Sequence, residues 1–252
     1  MTIKNLYKNL SNLYPESLRC EWDNDGIMCT DNLCKSVNKI LVALDVTERT
    51  IDYAIKNGFD LIISHHPLVF KSEKSLTPER YTQNKLIKLI KKNVSVFSFH
   101  TRLDAAKGGV NDVLSELIGL ENVKVDEVES IGRIGILKNE MDLDTFAKYV
   151  KSKLNTPVVL YSGNNAVKTV YVVGGDGKDL IPRALALGAD TLLTGRASYN
   201  TMIDAKDMGL NIVEGGHFFT ENPVCEKIKH DVLQIDSSFE VEIFSSFDIK
   251  SC

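Results

Sequence analysis

Short apolar runs alternate with helical patterns along almost the whole chain, and this alternation limits the folds open to the sequence. The runs VNKILVAL, DLIIS and VSVFSF are short, rich in β-branched or aromatic residues and bounded by polar residues, as buried strands are. The segments between them carry apolar residues three or four positions apart, which indicates amphipathic helices. Because strands that alternate with helices form mainly parallel sheets with helices packed on them, the sequence predicts an α/β fold.

The alternation is interrupted by a charged, weakly periodic stretch at 121–142, where we place a boundary between two α/β lobes. A length of 252 residues is enough for one large domain or two small lobes. We expect residues 1–126 and 217–252 to form the first lobe and residues 127–216 the second. The predicted strands are 37–44, 60–64, 94–99, 157–162, 168–173, 190–194, 210–216 and 241–245. The predicted helices are 49–58, 84–93, 110–120, 144–155, 179–188, 198–209 and 221–233.

Composition and charge narrow the class of protein. Apolar residues make up 43% and charged residues 25%, as in ordinary globular chains, and the net charge of −4 argues against nucleic-acid and anionic-membrane partners. No apolar run approaches the roughly 20 residues that span a bilayer, and the N-terminus MTIKNLYKNL lacks the apolar core of a secretory signal. The five cysteines are odd in number and form no C-x-x-C pair, which favours reduced thiols. We therefore expect a cytoplasmic protein.

Four of the five histidines come just after predicted strands, in the segments SHHPLVF, SFHTRLD and EGGHFFTE. In open α/β sheets, ligands bind beyond the carboxyl ends of the strands. Three strand ends would thus bring imidazole and carboxylate groups to one edge of a sheet, and these groups supply the lone pairs that metals need. The sequence predicts a metal site there.

The local spacing supports this prediction. His65 and His66 are adjacent before a proline, so their rings diverge and could serve two metals, or one metal and one hydrogen-bonded contact. His217 and Glu221 are four residues apart and would share one face of a helix. The carboxylate of Asp104 could bridge two ions about 3.5–4 Å apart. Such a mixed set of nitrogen and oxygen donors suits Zn, Fe, Mn, Co or Ni and does not choose among them.

Three functions remain open from these residues. The first is a metal-dependent hydrolase of a small nucleotide-like or phosphorylated molecule, in which His100 transfers protons because it adjoins the site without being a required ligand. The second is a binding protein without turnover, such as a metal chaperone, store or sensor. The third is an interaction scaffold in which the metals only hold the lobes together.

Several further residues have alternative interpretations. Asp45 ends a predicted strand and either supports a ligand or caps the following helix. Asp23 and Asp25 are expected to be turn residues, with a lesser chance that they line the site. Trp22 is expected in the core rather than as a platform for base stacking. The glycines in 172–179 are expected to form a tight turn rather than a phosphate site.

Four motifs, in this order, resemble those of the GTP cyclohydrolase 1 type 2 homologue family, which is also the family of the Ngg-interacting-factor-three-like proteins: SHHPLVF, the HTRLD and GGVNDVL segment, DTLLTGRASYN, and EGGHFFTE. The earlier segments WDNDG and ALDVT are similar to the first motifs of that family. The resemblance runs from Trp22 to Glu221 and so covers nearly the whole chain.

The resemblance implies a two-lobed α/β fold, a dinuclear metal site in the cleft between the lobes, a toroidal homohexamer and a cyclohydrolase-like hydrolytic activity. The chain is similar to the short form of the family, which lacks an inserted domain. His100 matches a histidine that lines the site. The family's metal ligands fall on His65, His66, Asp104, His217 and Glu221.

The chain departs from the family pattern at three places that spare these ligands. Asp25 stands where a small apolar residue is usual, and Arg196 where an acidic residue is expected. Tyr199 and Asn200 stand where a histidine is common. These departures affect the residues that would contact a substrate.

Overall fold

The first of two sheets has five strands and is mostly parallel. Its strand order is β1-β4-β3-β2-β11, with β1 antiparallel to β4 and every other neighbouring pair parallel. The strands are β1 (Gly26–Cys29), β2 (Lys39–Ala43), β3 (Leu61–Ser64), β4 (Ser95–Ser98) and β11 (Glu240–Ile243). The helices of this part are α1 (Ile3–Leu13), α2 (Glu48–Lys56), α3 (Tyr81–Lys91), α4 (Thr101–Ala105) and α10 (Val224–Ile235), with a 3₁₀ turn at Glu16–Leu18.

The second sheet has six strands and mixes both directions. Its strand order is β5-β6-β8-β9-β10-β7. The pairs β8–β9 and β9–β10 are parallel, and the other three neighbouring pairs are antiparallel. The strands are β5 (Leu120–Val125), β6 (Arg133–Met141), β7 (Leu160–Ser162), β8 (Val167–Asp176), β9 (Thr191–Arg196) and β10 (Asn211–Glu214). The helices are α5 (Val110–Ile118), α6 (Leu143–Leu154), α7 (Ile181–Ala186), α8 (Tyr199–Asp207) and α9 (His217–Glu221), with a 3₁₀ turn at Lys178–Leu180.

These two sheets define two units in the computed structural model, which describes residues 1–250. The first unit comprises Met1–Ala106 and Cys225–Ile249, and the second comprises Lys107–Val224. These bounds differ from the expected 1–126 plus 217–252 and 127–216. Residues 107–126 fall in the second unit because β5 pairs with β6, and α9 falls there because it packs on β8 and β9.

Each unit has its own apolar core, as the hydrophobic pattern predicts. In the first unit, Leu41, Ile62 and Val96 lie buried in the same cluster, one from each of the strands β2, β3 and β4. The six-stranded sheet is covered by two clusters, one of them centred on Phe146 and Val150 of α6. Burial of such side chains contributes about 1.5–3 kcal/mol each to folding.

The predicted α/β class with two mixed sheets is confirmed, and most predicted elements have a counterpart in the structure. The stretch 121–142 is not only a boundary, since it contains β5 and β6. Helix α1 and strand β1 were not predicted. The helix predicted over 221–233 corresponds to α10, and a separate short helix, α9, precedes it and carries His217 and Glu221. Within the described part of the chain, no helix has the length and apolar character needed to cross a membrane.

Candidate metal centre

The parallel register of the first sheet brings three polar side chains into equivalent positions. Strands β2, β3 and β4 pair so that their last residues stand side by side. Asp45, His66 and His100 each lie two residues beyond one of these aligned ends. The sheet therefore delivers one carboxylate and two imidazoles to the edge where its parallel strands end, as predicted for ligand sites in such sheets.

His65, His66 and His100 form a cluster at this edge. A ring nitrogen of each lies within 4.8 Å of those of the other two, so the three could hold a metal ion. The ring centroid of His65 lies 5.0 Å from that of His66 and 5.2 Å from that of His100. His65 is fully buried, whereas His66 and His100 are partly exposed. The buried ring is thus fixed in place while the other two can be reached from solvent.

Hydrogen bonds at Nδ1 fix the orientation of the first two rings. His65 Nδ1 lies 2.9 Å from the carbonyl oxygen of Phe99, and His66 Nδ1 lies 2.7 Å from Asp45 Oδ1. A carbonyl oxygen or an ionised carboxylate only accepts, so Nδ1 carries the proton in each ring. The lone pair then sits on Nε2, which is the arrangement found in metal-binding histidines.

The third ring is held in the same way by Asp23. Asp23 Oδ1 accepts from His100 Nδ1 at 2.8 Å, and Oδ2 accepts from the backbone N–H and the hydroxyl of Thr101 at 3.0 and 2.6 Å. Burial alone would raise the pKa of Asp23, but hydrogen bonds from His100 and Thr101 outweigh it and lower the pKa to about 2. Asp23 is therefore a carboxylate at neutral pH and supports the Nδ1–H form of His100.

Asp25 supports the segment that follows β4. Its Oδ2 accepts from the backbone N–H of His100 at 3.2 Å and from Nε of the buried Arg102 at 2.9 Å. Arg102 also donates to the Tyr7 hydroxyl at 3.0 Å. Both aspartates of WDNDG are thus partners of the residues around His100 rather than turn residues alone.

Asp104 adds a carboxylate to the histidine cluster. It lies on α4, four residues after His100, and its Oδ1 is 3.7 Å from His65 Nε2. The side chain is nearly buried. Together with the three rings it completes a set of nitrogen and oxygen donors in the first unit.

The second unit carries the predicted His217 and Glu221 pair on α9. His217 Nε2 lies 3.0 Å from Glu221 Oε2, as the i, i+4 spacing predicts. The Thr220 hydroxyl donates back toward the carbonyls of Gly216 and His217, which tightens this five-residue helix. Glu221 is buried, whereas the His217 side chain is 43% exposed.

Glycines at the ends of β8 and β9 let α9 approach the sheet closely. A Cβ on Gly175 would overlap Glu221 Oε1, and a Cβ on Gly195 would lie 2.8 Å from His217 Cα. Gly175 also has a positive φ of +66°. Gly175, within 172–179, therefore does more than form a tight turn, because it leaves the space that Glu221 occupies.

Besides Asp25, the residues that depart from the family pattern lie at or after the end of β9. Arg196 is its exposed last residue, and Tyr199 and Asn200 begin α8 with exposed side chains. The expectation that Trp22 lies in the core is wrong, since 64% of its surface is exposed.

Two supporting residues were underestimated from the sequence. Asp23 is separated by 77 residues from His100, so no local pattern could pair them. Asp45 had two interpretations, and the structure assigns the capping of α2 to Thr47 and the contact with His66 to Asp45. The sequence feature that could have indicated this role of Asp45 is its position two residues after β2, since His66 and His100 lie two residues after β3 and β4.

Comparisons with known proteins agree with the fold and the motifs. A family model described as Duf34/NIF3 (NGG1p interacting factor 3) matches residues 1–250. A protein of Clostridium perfringens named GTP cyclohydrolase 1 type 2 homolog is 36% identical over 249 residues, which cover 95% of each chain. A protein of Methanocaldococcus jannaschii with the same name is 31% identical over 97% of this chain and 99% of its own.

Solved structures are similar over nearly their whole length. Reduced HcgD from Methanocaldococcus jannaschii matches with a TM-score of 0.86 and 30% identity, covering 98% of each chain. A hypothetical protein of Staphylococcus aureus matches with a TM-score of 0.88 and 27% identity, covering 97% of this chain and 96% of its own. The fold, the order of the motifs and these matches lead to one conclusion: the chain belongs to the Duf34/NIF3 family.

Proposed function

We propose that this protein binds two divalent metal ions and uses them to hydrolyse a small nucleotide-like or phosphorylated molecule. The observation that carries the proposal is the grouping of His65, His66 and Asp104: the ring nitrogens of the two histidines lie within 4.8 Å of each other, and Asp104 Oδ1 lies 3.7 Å from His65 Nε2. Each of the two rings is bound at Nδ1 by an acceptor, which sets the tautomer that binds metals.

The donor chemistry fits a pair of divalent ions. Five ligands exceed the four of a single tetrahedral centre, and carboxylates can bridge two ions. Imidazole nitrogen with carboxylate oxygen suits Zn, Fe, Mn, Co or Ni. The proposed ligands are His65, His66, Asp104, His217 and Glu221.

Bound metals of this kind lower the pKa of a coordinated water and stabilise negative charge on a phosphoryl or carbonyl oxygen. The chain itself would supply proton transfer through His100. Asp23 accepts a hydrogen bond from His100 Nδ1–H and would stabilise the positively charged ring that forms when Nε2 takes up a proton. In the next step, Nε2 would give that proton to the leaving group. The name shared by the curated relatives, GTP cyclohydrolase 1 type 2 homolog, favours a nucleotide-like substrate.

Elemental analysis of variants tests the ligand assignment. The protein, prepared without chelator and repleted with Zn, Mn or Fe, should hold about two ions per chain. His65→Ala and Glu221→Ala should each lose metal, since each removes a lone pair. His230→Ala is the matched control, because His230 is an exposed histidine of α10. No more than one ion in the repleted parent protein would contradict the dinuclear proposal.

His100→Ala separates a ligand from a proton-transfer residue. This variant should retain both ions and hydrolyse a substrate about 10²–10⁴-fold more slowly than the parent, the usual contribution of a positioned acid or base. If it loses metal as Glu221→Ala does, His100 is a ligand. If a panel of nucleotides and phosphoesters gives no turnover with two ions bound, the binding-protein function replaces the hydrolase.

A further inference from the structure

Two exposed aromatic side chains stand beside the histidine cluster. Trp22 is 64% exposed and Phe70 is 48% exposed, and each ring centroid lies 6.2 Å from that of His100. The two rings are also 6.2 Å from each other. Single exposed aromatics are common on proteins, but here two adjoin each other and a candidate metal-binding residue.

The backbone around both rings is held in place. The residue after Trp22 is Asp23, whose carboxylate accepts hydrogen bonds from His100 and Thr101, so the backbone beside Trp22 is anchored to the cluster. The side-chain amide of Asn24 donates to the carbonyl oxygen of Val69, the residue before Phe70. The two segments are therefore tied to each other and to His100. Such restraint lowers the entropy lost when a ligand binds.

The ring geometry leaves room for a flat ligand. The planes of the three rings are inclined to one another by 61°, 77° and 86°, so the rings meet edge to face and none is stacked on another. Most of the indole of Trp22 is open to solvent. An apolar wall beside a few fixed polar groups is the usual composition of a small-molecule site.

We propose that Trp22 and Phe70 form a stacking wall for a planar heteroaromatic ring of the ligand, of the size of a purine base, next to His100. This inference rests on the proposed function and adds the class of substrate, a purine nucleotide whose phosphate faces the metals. A bicyclic base matches the bicyclic indole in size, and aromatic side chains hold bases by stacking. A sugar phosphate has no flat ring, so the wall would distinguish nucleotides from simple phosphoesters.

Trp22 is the only tryptophan of the chain, so its fluorescence reports directly on the wall. We would titrate the Zn-loaded protein with guanosine 5′-monophosphate, with guanosine and with ribose 5-phosphate. The nucleotide and the nucleoside should quench the fluorescence, whereas ribose 5-phosphate should bind without this quenching.

Calorimetry on variants gives the size of the effect. Trp22→Ala should weaken binding of the nucleotide by about 5- to 150-fold, the usual contribution of one stacked base, and leave ribose 5-phosphate unaffected. Trp22→Phe should retain most of the affinity because it keeps an aromatic face. Tyr81→Ala is the matched control, since Tyr81 is 63% exposed in the same unit but contacts the ammonium group of Lys85.

Three results would overturn the wall. In the first result, Trp22→Ala binds the nucleotide as tightly as the parent does. In the second, the parent binds ribose 5-phosphate as tightly as the nucleotide. In the third result, Trp22→Ala leaves the nucleotide affinity unchanged but changes the mass of the assembly in sedimentation. Trp22 would then belong to an interface between copies of the chain. Failure of the metal proposal is read separately by elemental analysis of the parent protein. The guanosine titration tests the wall in either case, because guanosine has no phosphate.

Discussion

Replacement of Gly175 by alanine should displace the Glu221 carboxylate without removing any ligand. The added Cβ would overlap Glu221 Oε1 and lie 3.4 Å from His217 Cε1. The position also has φ of +66°, where a side chain costs about 1–2 kcal/mol of folding free energy. Two separate effects are therefore expected: a backbone penalty and the movement of a proposed ligand.

Gly188→Ala isolates the backbone penalty. Gly188 has φ of +76°, and a Cβ there would meet no atom within 4 Å. Both variants belong to the second unit and should lose about 1–2 kcal/mol, which lowers the melting temperature of a chain of this size by about 2–8 °C. Only Gly175→Ala should also bind the metal more weakly, by about 10- to 100-fold. This is the usual loss when a residue that orients a metal ligand is replaced.

The assay is calorimetric titration of metal-free protein with Zn²⁺, together with thermal unfolding of the metal-free forms. Thermal unfolding measures the backbone penalty in both variants, and the titration measures the displacement of Glu221. Equal metal affinity in Gly175→Ala and Gly188→Ala would refute the reasoning, because the overlap with Glu221 would then have no effect on binding.

Three further predictions concern other parts of the molecule. Burial would raise the pKa of Asp126, but hydrogen bonds from Arg183 and Tyr171 outweigh burial and keep that pKa well below its usual value. The ionised Asp126 carboxylate therefore stabilises the folded state at neutral pH, and this contribution is lost in acid. Asp126→Asn should lower the free energy of unfolding by about 1.5–3 kcal/mol at pH 7. This loss should begin to shrink only when the pH falls below about 3.9, the usual pKa of an aspartate, and should vanish only below the folded-state pKa, so a loss that already shrinks above pH 5 in urea titrations would contradict this. Asp45→Asn should weaken Zn²⁺ binding about 10- to 100-fold in calorimetry, because it removes the carboxylate that orients His66, and unchanged affinity would remove that role. We also propose a homohexamer, for which sedimentation should give the mass of six chains, and a monomer or dimer would reject it.

The sequence predicts the parts of the site that depend on strand ends. His65, His66 and His100 follow apolar runs that form β3 and β4, and the parallel register then places them at one edge of the sheet. Such runs are recognisable because both faces of a parallel strand are buried. The i, i+4 pair of His217 and Glu221 is likewise a local pattern.

Features that depend on distant neighbours could not be predicted. The pairing of Asp23 with His100 and the space that Gly175 leaves for Glu221 join residues far apart in the chain. Strand β5 was missed because five of its six residues are exposed, so it lacks the alternation of a half-buried strand. The exposure of Trp22 was missed because aromatic character alone is equally consistent with a core position.

Strand β11 pairs with β2 although about 200 residues of chain lie between them. During synthesis at about 5–20 residues per second, β2 would emerge from the ribosome and wait about 10–40 s for this neighbour. Throughout that interval one side of β2 presents unpaired N–H and C=O groups, the kind of edge to which other nascent chains can add. The fold thus makes a segment translated about 200 residues later the one that protects this side of β2, and a chain released before residue 240 would leave that edge permanently open.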